Sequence, residues 1–359
     1  MFRTEQNQPN CMPAQRSSGA GLCAQKHGEP NMTLLLSASD IQKVLSMQDA
    51  IHANDIGFRE HALGNVIMPQ RLAMHLEQAE GVMLTMAACV GGEAGGAGVK
   101  HVSVFPRNAA AGVLPTTLGL LILNDPDTGE ALAVMDATYL TAMRTGAGGG
   151  VAARYLARED ARTVGVFGSG AQAETQLMAA CAVRPIEKAR VLSRSKKNAE
   201  AFASKMGAQL GIEVEPVFEA RHAVEGMDIV VTATTADTPL FDGAWLRPGQ
   251  HVNAVGTHLP TAREIDTHAV ARGKFFVDSR VACLIEAGEI LLPIEEGAVT
   301  ESHIVAEIGN VCAGLHPGRE SEDEITIFKS VGVGHQDMTA ARAAYDKAIK
   351  EGIGHEFRF

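Results

Sequence analysis

Hydrophobic periodicity divides the chain into three stretches. Up to residue 31 it is absent, and Gln, Asn, Ser, Gly and Pro dominate, which predicts a disordered tail. Met32 then opens the apolar run Thr33-Leu34-Leu35-Leu36, where the functional chain is expected to begin. Ser39-Asp40-Ile41 reads as a helix start, and helical spacing holds over residues 47–58. Residues 82–105 read as β-structure, with a gap holding Gly91, Gly92, Gly95 and Gly96 as a hairpin connection. A strand over 118–123 ends in the turn-rich Asn124-Asp125-Pro126-Asp127-Thr128-Gly129, and 131–135 is its hairpin partner. Residues 138–157 form a long helix of small side chains.

The rhythm then changes to strand–helix alternation. Strands are predicted at 163–167, 189–193, 213–216, 228–232, 251–255 and 274–277, with helices between several of them. Strands joined by crossover helices imply a parallel sheet covered on both faces. The fold class is therefore α/β, with a Rossmann-type doubly wound parallel sheet. No internal repeat is visible.

Composition narrows the function. A chain of 359 residues favours two domains, since a single core rarely grows past about 250–300 residues. Aromatics make up 4% of a chain with 37 glycines, so the core is aliphatic and rich in close backbone approaches. A net charge of -11 argues against a nucleic-acid partner, while leaving room for a local basic pocket that takes a small anion. The six cysteines (Cys11, Cys23, Cys89, Cys181, Cys283, Cys312) form no CxxC pair and no zinc spacing with His. Free thiols in a reducing compartment and no metal site are expected. No apolar run is long enough to cross a bilayer, and residues 1–31 lack the apolar core of a signal peptide. No membrane partner and a cytoplasmic location are expected.

The strongest chemical signal is Gly168-Ser169-Gly170-Ala171-Gln172-Ala173, placed between the strand at 163–167 and a helix. Gly168 permits the tight turn, Gly170 lets the backbone approach a pyrophosphate, and Ala173 permits close helix–strand packing. The unpaired N–H groups of the helix then face the phosphates. A lone GxGxxA is weak, and a glycine turn can serve packing alone; here the flanking strands and helix match a dinucleotide site. The second strand ends in Leu192-Ser193-Arg194-Ser195-Lys196-Lys197, without the acid that accepts from an NAD ribose. Arg194 suits a 2′-phosphate, so NADP(H) is favoured, with NAD(H) as the alternative cofactor.

Around this turn the sequence resembles the ornithine cyclodeaminase/mu-crystallin family. The resemblance rests on Thr141-Ala142-Met143-Arg144-Thr145-Gly146-Ala147, on the stretch 164–173, on Gly98-Val99-Lys100 with Phe105-Pro106-Arg107-Asn108, on Asn253-Ala254-Val255-Gly256, and on Thr326-Ile327-Phe328-Lys329-Ser330-Val331-Gly332. It spans roughly residues 32–350. It implies a Rossmann domain at 146–316, inserted into a second α+β substrate-binding and dimerisation domain made of 32–145 plus 317–359, and a homodimer. The implied chemistry is hydride transfer between a nicotinamide and the α-carbon of a small imino- or amino-acid substrate. That makes the chain an NAD(P)H-dependent oxidoreductase of the ketimine reductase, pyrroline-2-carboxylate reductase or alanine dehydrogenase type. The same family leaves two alternatives, an ornithine cyclodeaminase and a non-enzymatic, mu-crystallin-like NADPH-binding protein.

The resemblance also assigns roles. Arg71 and Arg144 bind the substrate carboxylate, Thr116 lies near cofactor and substrate, and Lys100 touches substrate and relays protons. A guanidinium fork suits a planar carboxylate, and a lysine within a strand is expensive to bury unless it is used. Burial lowers a lysine pKa toward the range a relay needs. Cofactor contact is implied for Gly168, Ser169, Gly170, Ala171 and Gln172, then for Ser193, Arg194 and Ser195. It is implied further for Thr234, Thr235, Val255 and Gly256, and for Ser330 and Gly332 on a loop returning to the nicotinamide. Cyclodeaminases carry an aspartate where this chain has His258, which argues against cyclodeamination. His258 is expected either as an acid–base group near neutral pH or as a pocket-lining side chain.

Overall fold

The computed structural model describes residues 32–359 apart from Glu93 and Val113; the expected tail, residues 1–31, lies outside the described residues. Strand β1 (Thr33–Leu36) leads into two helices, α1 (Ala38–Val44) and α2 (Met47–Ala62). Each helix opens on a capping box, in which Ser37 pairs with Asp40 and Ser46 with Asp49. The first helix is thus capped at Ser37 rather than starting at Ser39, because the Ser37 hydroxyl accepts from the Asp40 N–H.

A meander follows: β2 (Val66–Ile67), β3 (Leu72–Leu76), β4 (Gly81–Val90), β5 (Ala97–Val104), the short α3 (Pro106–Ala110), β6 (Thr117–Asn124) and β7 (Ala131–Asp136). These strands pair antiparallel in sequence order from β3 to β7, while β1 joins β7 in parallel. Register decides which side chains reach the interior. Leu72, Thr85, His101 and Leu120 stand opposite one another on the outer face, and Met86, Lys100 and Leu121 on the inner one. The inner face joins one core with α2, with α4 (Ala137–Leu156) and with a C-terminal helix.

Past α4 the second sheet is wholly parallel. Its first part is β8 (Thr163–Phe167), α5 (Ala171–Val183), β9 (Lys188–Leu192), α6 (Lys196–Leu210), β10 (Glu213–Val217), β11 (Ile229–Thr232) and β12 (His251–Ala254). The rest is α7 (Thr267–Arg272), β13 (Lys274–Val277), α8 (Arg280–Glu286), α9 (Gly288–Glu295), β14 (Ile304–Glu307), α10 (Ile308–Cys312) and β15 (Thr326–Lys329). The spatial order is β10-β9-β8-β11-β12-β15-β13-β14, with separate apolar clusters on the two faces. This is the expected Rossmann-type sheet. Helix α11 (Gly334–Glu351) then returns to the first core, and β16 (His355–Phe357) pairs with β1.

The expected domain boundaries shift. A start at 146 falls inside α4, a continuous helix. The expected end at 316 leaves out β15, which pairs with both β12 and β13 and so belongs to the parallel sheet. The chain crosses back after Lys329. The expectation failed there because Thr326–Lys329 is only four residues long and carries a lysine, whose ammonium is paired out of sight with Glu289 at 2.9 Å.

Candidate active site

The C-terminal ends of the parallel strands open on a cleft of about 1500 Å³. That exceeds the roughly 300–1,000 Å³ of a pocket for one small molecule and leaves room for a dinucleotide beside a substrate. The chain runs outward from β8 to β10, then returns to β11 on the other side of β8. Open α/β sheets bind nucleotides at such a reversal.

Every candidate taken from the sequence lines this one cleft. The turn 168–172 follows β8, Ser193, Arg194 and Ser195 follow β9, Thr234 and Thr235 follow β11, Val255 and Gly256 follow β12, and Ser330 and Gly332 follow β15. Arg71, Lys100 and Thr116 come from the first sheet and its connections, Arg144 from α4, and His258 from the loop after β12.

The turn after β8 fits a dinucleotide. Gly168 has φ +112, and a Cβ there would strike the Ala233 carbonyl oxygen, so only glycine closes the turn. Gly170 caps α5, and no atom lies within 4 Å of where its Cβ would stand, so the backbone is bare toward the cleft. The α5 N-terminus with its unpaired N–H groups lies directly behind, a cradle for phosphate. The Ser169 and Ser193 hydroxyls meet at 2.8 Å and tie the ends of β8 and β9 together. Arg194 is exposed beyond β9 and makes no ion pair among the described residues.

A buried carboxylate clamps the neighbouring loops. Glu264 accepts from the Thr234 N–H and hydroxyl, each at 2.7 Å, through one oxygen and from the Gly256 N–H at 2.8 Å through the other. Burial raises its pKa, against the pull of the Lys329 ammonium and the Thr234 bonds.

The remaining wall carries a buried charge cluster. Lys100 is 0% exposed and donates to Asp337 Oδ1 at 2.7 Å. Arg144 Nε lies 2.9 Å from the same oxygen, and its Nη1 donates to Gln336 Oε1 at 3.2 Å. Two cations thus share one carboxylate oxygen in a dry setting, where an additional anion would be welcome. Burial lowers the Lys100 pKa to about 7, helped by Arg144 and resisted by Asp337. Arg71 pairs its Nε and Nη2 with both oxygens of Glu286, and Nη2 also reaches the Val331 carbonyl at 3.2 Å. Its Nη1 has no protein acceptor among the described residues.

His258 is expected from the sequence either as an acid–base group near neutral pH or as a pocket-lining side chain. It faces the cleft, yet the protein around it, and after that the cations Arg71, Lys329 and Arg144, push its pKa down to about 4. At neutral pH it is an uncharged hydrogen-bonding group.

Sequence reasoning missed Asp337, Glu286 and Glu264. Asp337 lies in the first turn of α11, where an acid reads as an ordinary helix-end charge. The one available signal was the excess of basic candidates, which demanded buried acids somewhere downstream.

Comparison with known proteins agrees with this architecture. Residues 31–352 match the model of the ornithine cyclodeaminase/mu-crystallin family. The chain is 37% identical over 328 residues to a Delta(1)-pyrroline-2-carboxylate reductase of Bacillus cereus, covering 91% of this chain and 100% of that protein. Among solved structures, Thermococcus litoralis Delta(1)-pyrroline-2-carboxylate reductase in complex with NADH and L-proline is 44% identical, with a TM-score of 0.87, covering 90% of this chain and 99% of the other. An archaeal alanine dehydrogenase dimer with bound NAD is 37% identical, with a TM-score of 0.85, covering 91% and 99%. By its motifs, its fold and the extent of these matches, the chain belongs to the ornithine cyclodeaminase/mu-crystallin family.

Proposed function

We propose that this protein is an NAD(P)H-dependent reductase of small α-imino acids that also runs in reverse as an amino-acid dehydrogenase. The observation that carries this reading is the Lys100–Asp337–Arg144 cluster, buried in the wall of the cleft that also holds the dinucleotide turn. Three basic side chains, Arg71, Lys100 and Arg144, face two carboxylates, Glu286 and Asp337. One positive charge is left unmatched when Lys100 is protonated, which suits a substrate with a single carboxylate.

Arg144 and the free edge of Arg71 orient that carboxylate. The Lys100 ammonium gives its proton to the nitrogen as the C=N bond becomes CH–NH, and takes it back in the oxidative direction. A bound nicotinamide dinucleotide supplies or accepts the hydride at the α-carbon. Leu84, Met86 and Val102 line the same cleft and keep water from the reacting face. Arg194, without a neighbouring acid, supports NADP(H) over NAD(H) for this chain.

The exposed outer face of the first sheet supports a homodimer. Leu72 is 68% and Leu120 59% exposed, and Met74 and Ile122 extend the patch. Cys181, Cys283 and Cys312 are not in disulfides, which suits the cytoplasm.

The test is a screen for NADPH and NADH oxidation with Δ1-pyrroline-2-carboxylate, Δ1-piperideine-2-carboxylate, and pyruvate or glyoxylate with ammonia or methylamine. Turnover with an imino carboxylate is expected. No oxidation with any of them would overturn the reading, and ornithine converted to proline without net cofactor change would replace it with cyclodeamination.

A further inference from the structure

The turn 330–332 leaves β15, lines the cleft and touches both candidate carboxylate-binding arginines. The Val331 carbonyl accepts from Arg71 Nη2 at 3.2 Å. Gly332, at φ +79, packs its α-carbon so close to Arg144 that an added Cβ would press on the guanidinium. This turn has few bonds of its own. It is held by Asp278, a carboxylate just past β13 with 0% exposure.

Asp278 Oδ2 accepts from the Ser330 hydroxyl at 2.8 Å, the Val331 N–H at 2.9 Å and the Gly332 N–H at 2.7 Å. Its Oδ1 accepts from the Ser279 N–H at 2.8 Å and the Cys283 thiol at 3.4 Å. Five donors converge on one side chain. Only a carboxylate meets that demand: an amide in either orientation would point N–H donors at other donors.

We infer that Asp278 is a positioning residue for substrate recognition, setting Arg71 and Arg144 against the substrate carboxylate through the turn 330–332. The inference rests on the reductase reading above. It makes no contact with the reacting atoms, so its signature is selectivity for a carboxylate.

The experiment compares Δ1-pyrroline-2-carboxylate with its uncharged carboxamide in wild type and in Asp278→Asn, with NADPH affinity measured separately by its fluorescence. Wild type is expected to prefer the acid strongly. Asp278→Asn is expected to lower the acid-to-amide ratio of kcat/KM by about tenfold or more, chiefly through KM for the acid, as befits the loss of charged hydrogen bonds. Any weakening of NADPH through Ser330 and Gly332 falls on acid and amide alike and leaves their ratio unchanged, so the ratio reports the arginines alone. Parallel loss on acid and amide, or no loss, would overturn the inference while leaving the reductase reading intact. A wild type that neither turns over nor binds the acid overturns both. Should Asp278→Asn fail to fold, Ser330→Ala removes one of the three turn bonds and leaves the carboxylate in place. It is expected to lower the same ratio by a few-fold, the effect of one hydrogen bond, and an unchanged ratio counts against the inference.

Discussion

Lys100 sits where a lysine is least comfortable, on the inner face of a strand between Met86 and Leu121. Its proton affinity is therefore set by its surroundings: dry protein, Arg144 and, less, Arg71 push the pKa down, and Asp337 holds it at about 7. The sign of the pH dependence follows. Reduction needs the ammonium, so kcat/KM for imine reduction is expected to fall as pH rises through about 7; oxidation needs the free amine and is expected to rise over the same range. A pH profile in both directions checks this, and two flat profiles would remove Lys100 from the proton path. Lys100→Ala is expected to lower reductive turnover by about 10²–10⁴-fold, the usual worth of general acid catalysis, with NADPH affinity held. At the other end of the cleft, Arg194→Ala is expected to weaken kcat/KM for NADPH by about tenfold and leave NADH untouched. Equal loss with both cofactors would show that Arg194 does not read a 2′-phosphate.

At the scale of elements, the loops after β11 and β12 are one mechanical unit because Glu264 bonds both. Glu264→Gln turns one acceptor into a donor facing a donor. It is expected to weaken dinucleotide binding by about tenfold, read by NADPH fluorescence titration, with less effect on KM for the imino acid at saturating cofactor. The elements that carry the candidate site differed in how plainly the sequence announced them. The hairpin of β4 and β5 alternates inward and outward side chains, so Lys100 stood out as a charge in an apolar row. The turn after β8 was legible because its glycines have one physical reason each. Strand β15 and the buried start of α11 were hidden, since Lys329 and Asp337 look like surface charges until Glu289 and Lys100 arrive from distant parts of the chain. Local pattern reports burial through hydrophobicity, and a buried ion pair reverses that signal.

At the scale of the whole molecule, the first sheet turns one apolar face inward and leaves the other bare. A second copy covering the Leu72–Leu120 row is the expected partner. Leu72→Glu combined with Leu120→Arg is expected to yield monomers in light scattering after gel filtration, whereas a dimer that persists would place the interface elsewhere. The sheet with the cleft has a different dependence on the rest of the chain. Strand β15, its last to be made, lies between β12 and β13 rather than at an edge. A growing polypeptide therefore cannot zip this sheet in the order in which it leaves the ribosome. Until residue 329 has emerged, β12 and β13 each present a row of unpaired backbone N–H and C=O groups, ready to pair with another chain. Products of interrupted synthesis that stop short of β15 should behave as aggregation seeds rather than as smaller folded domains, so four residues, 326–329, decide whether the strands made before them stay in solution.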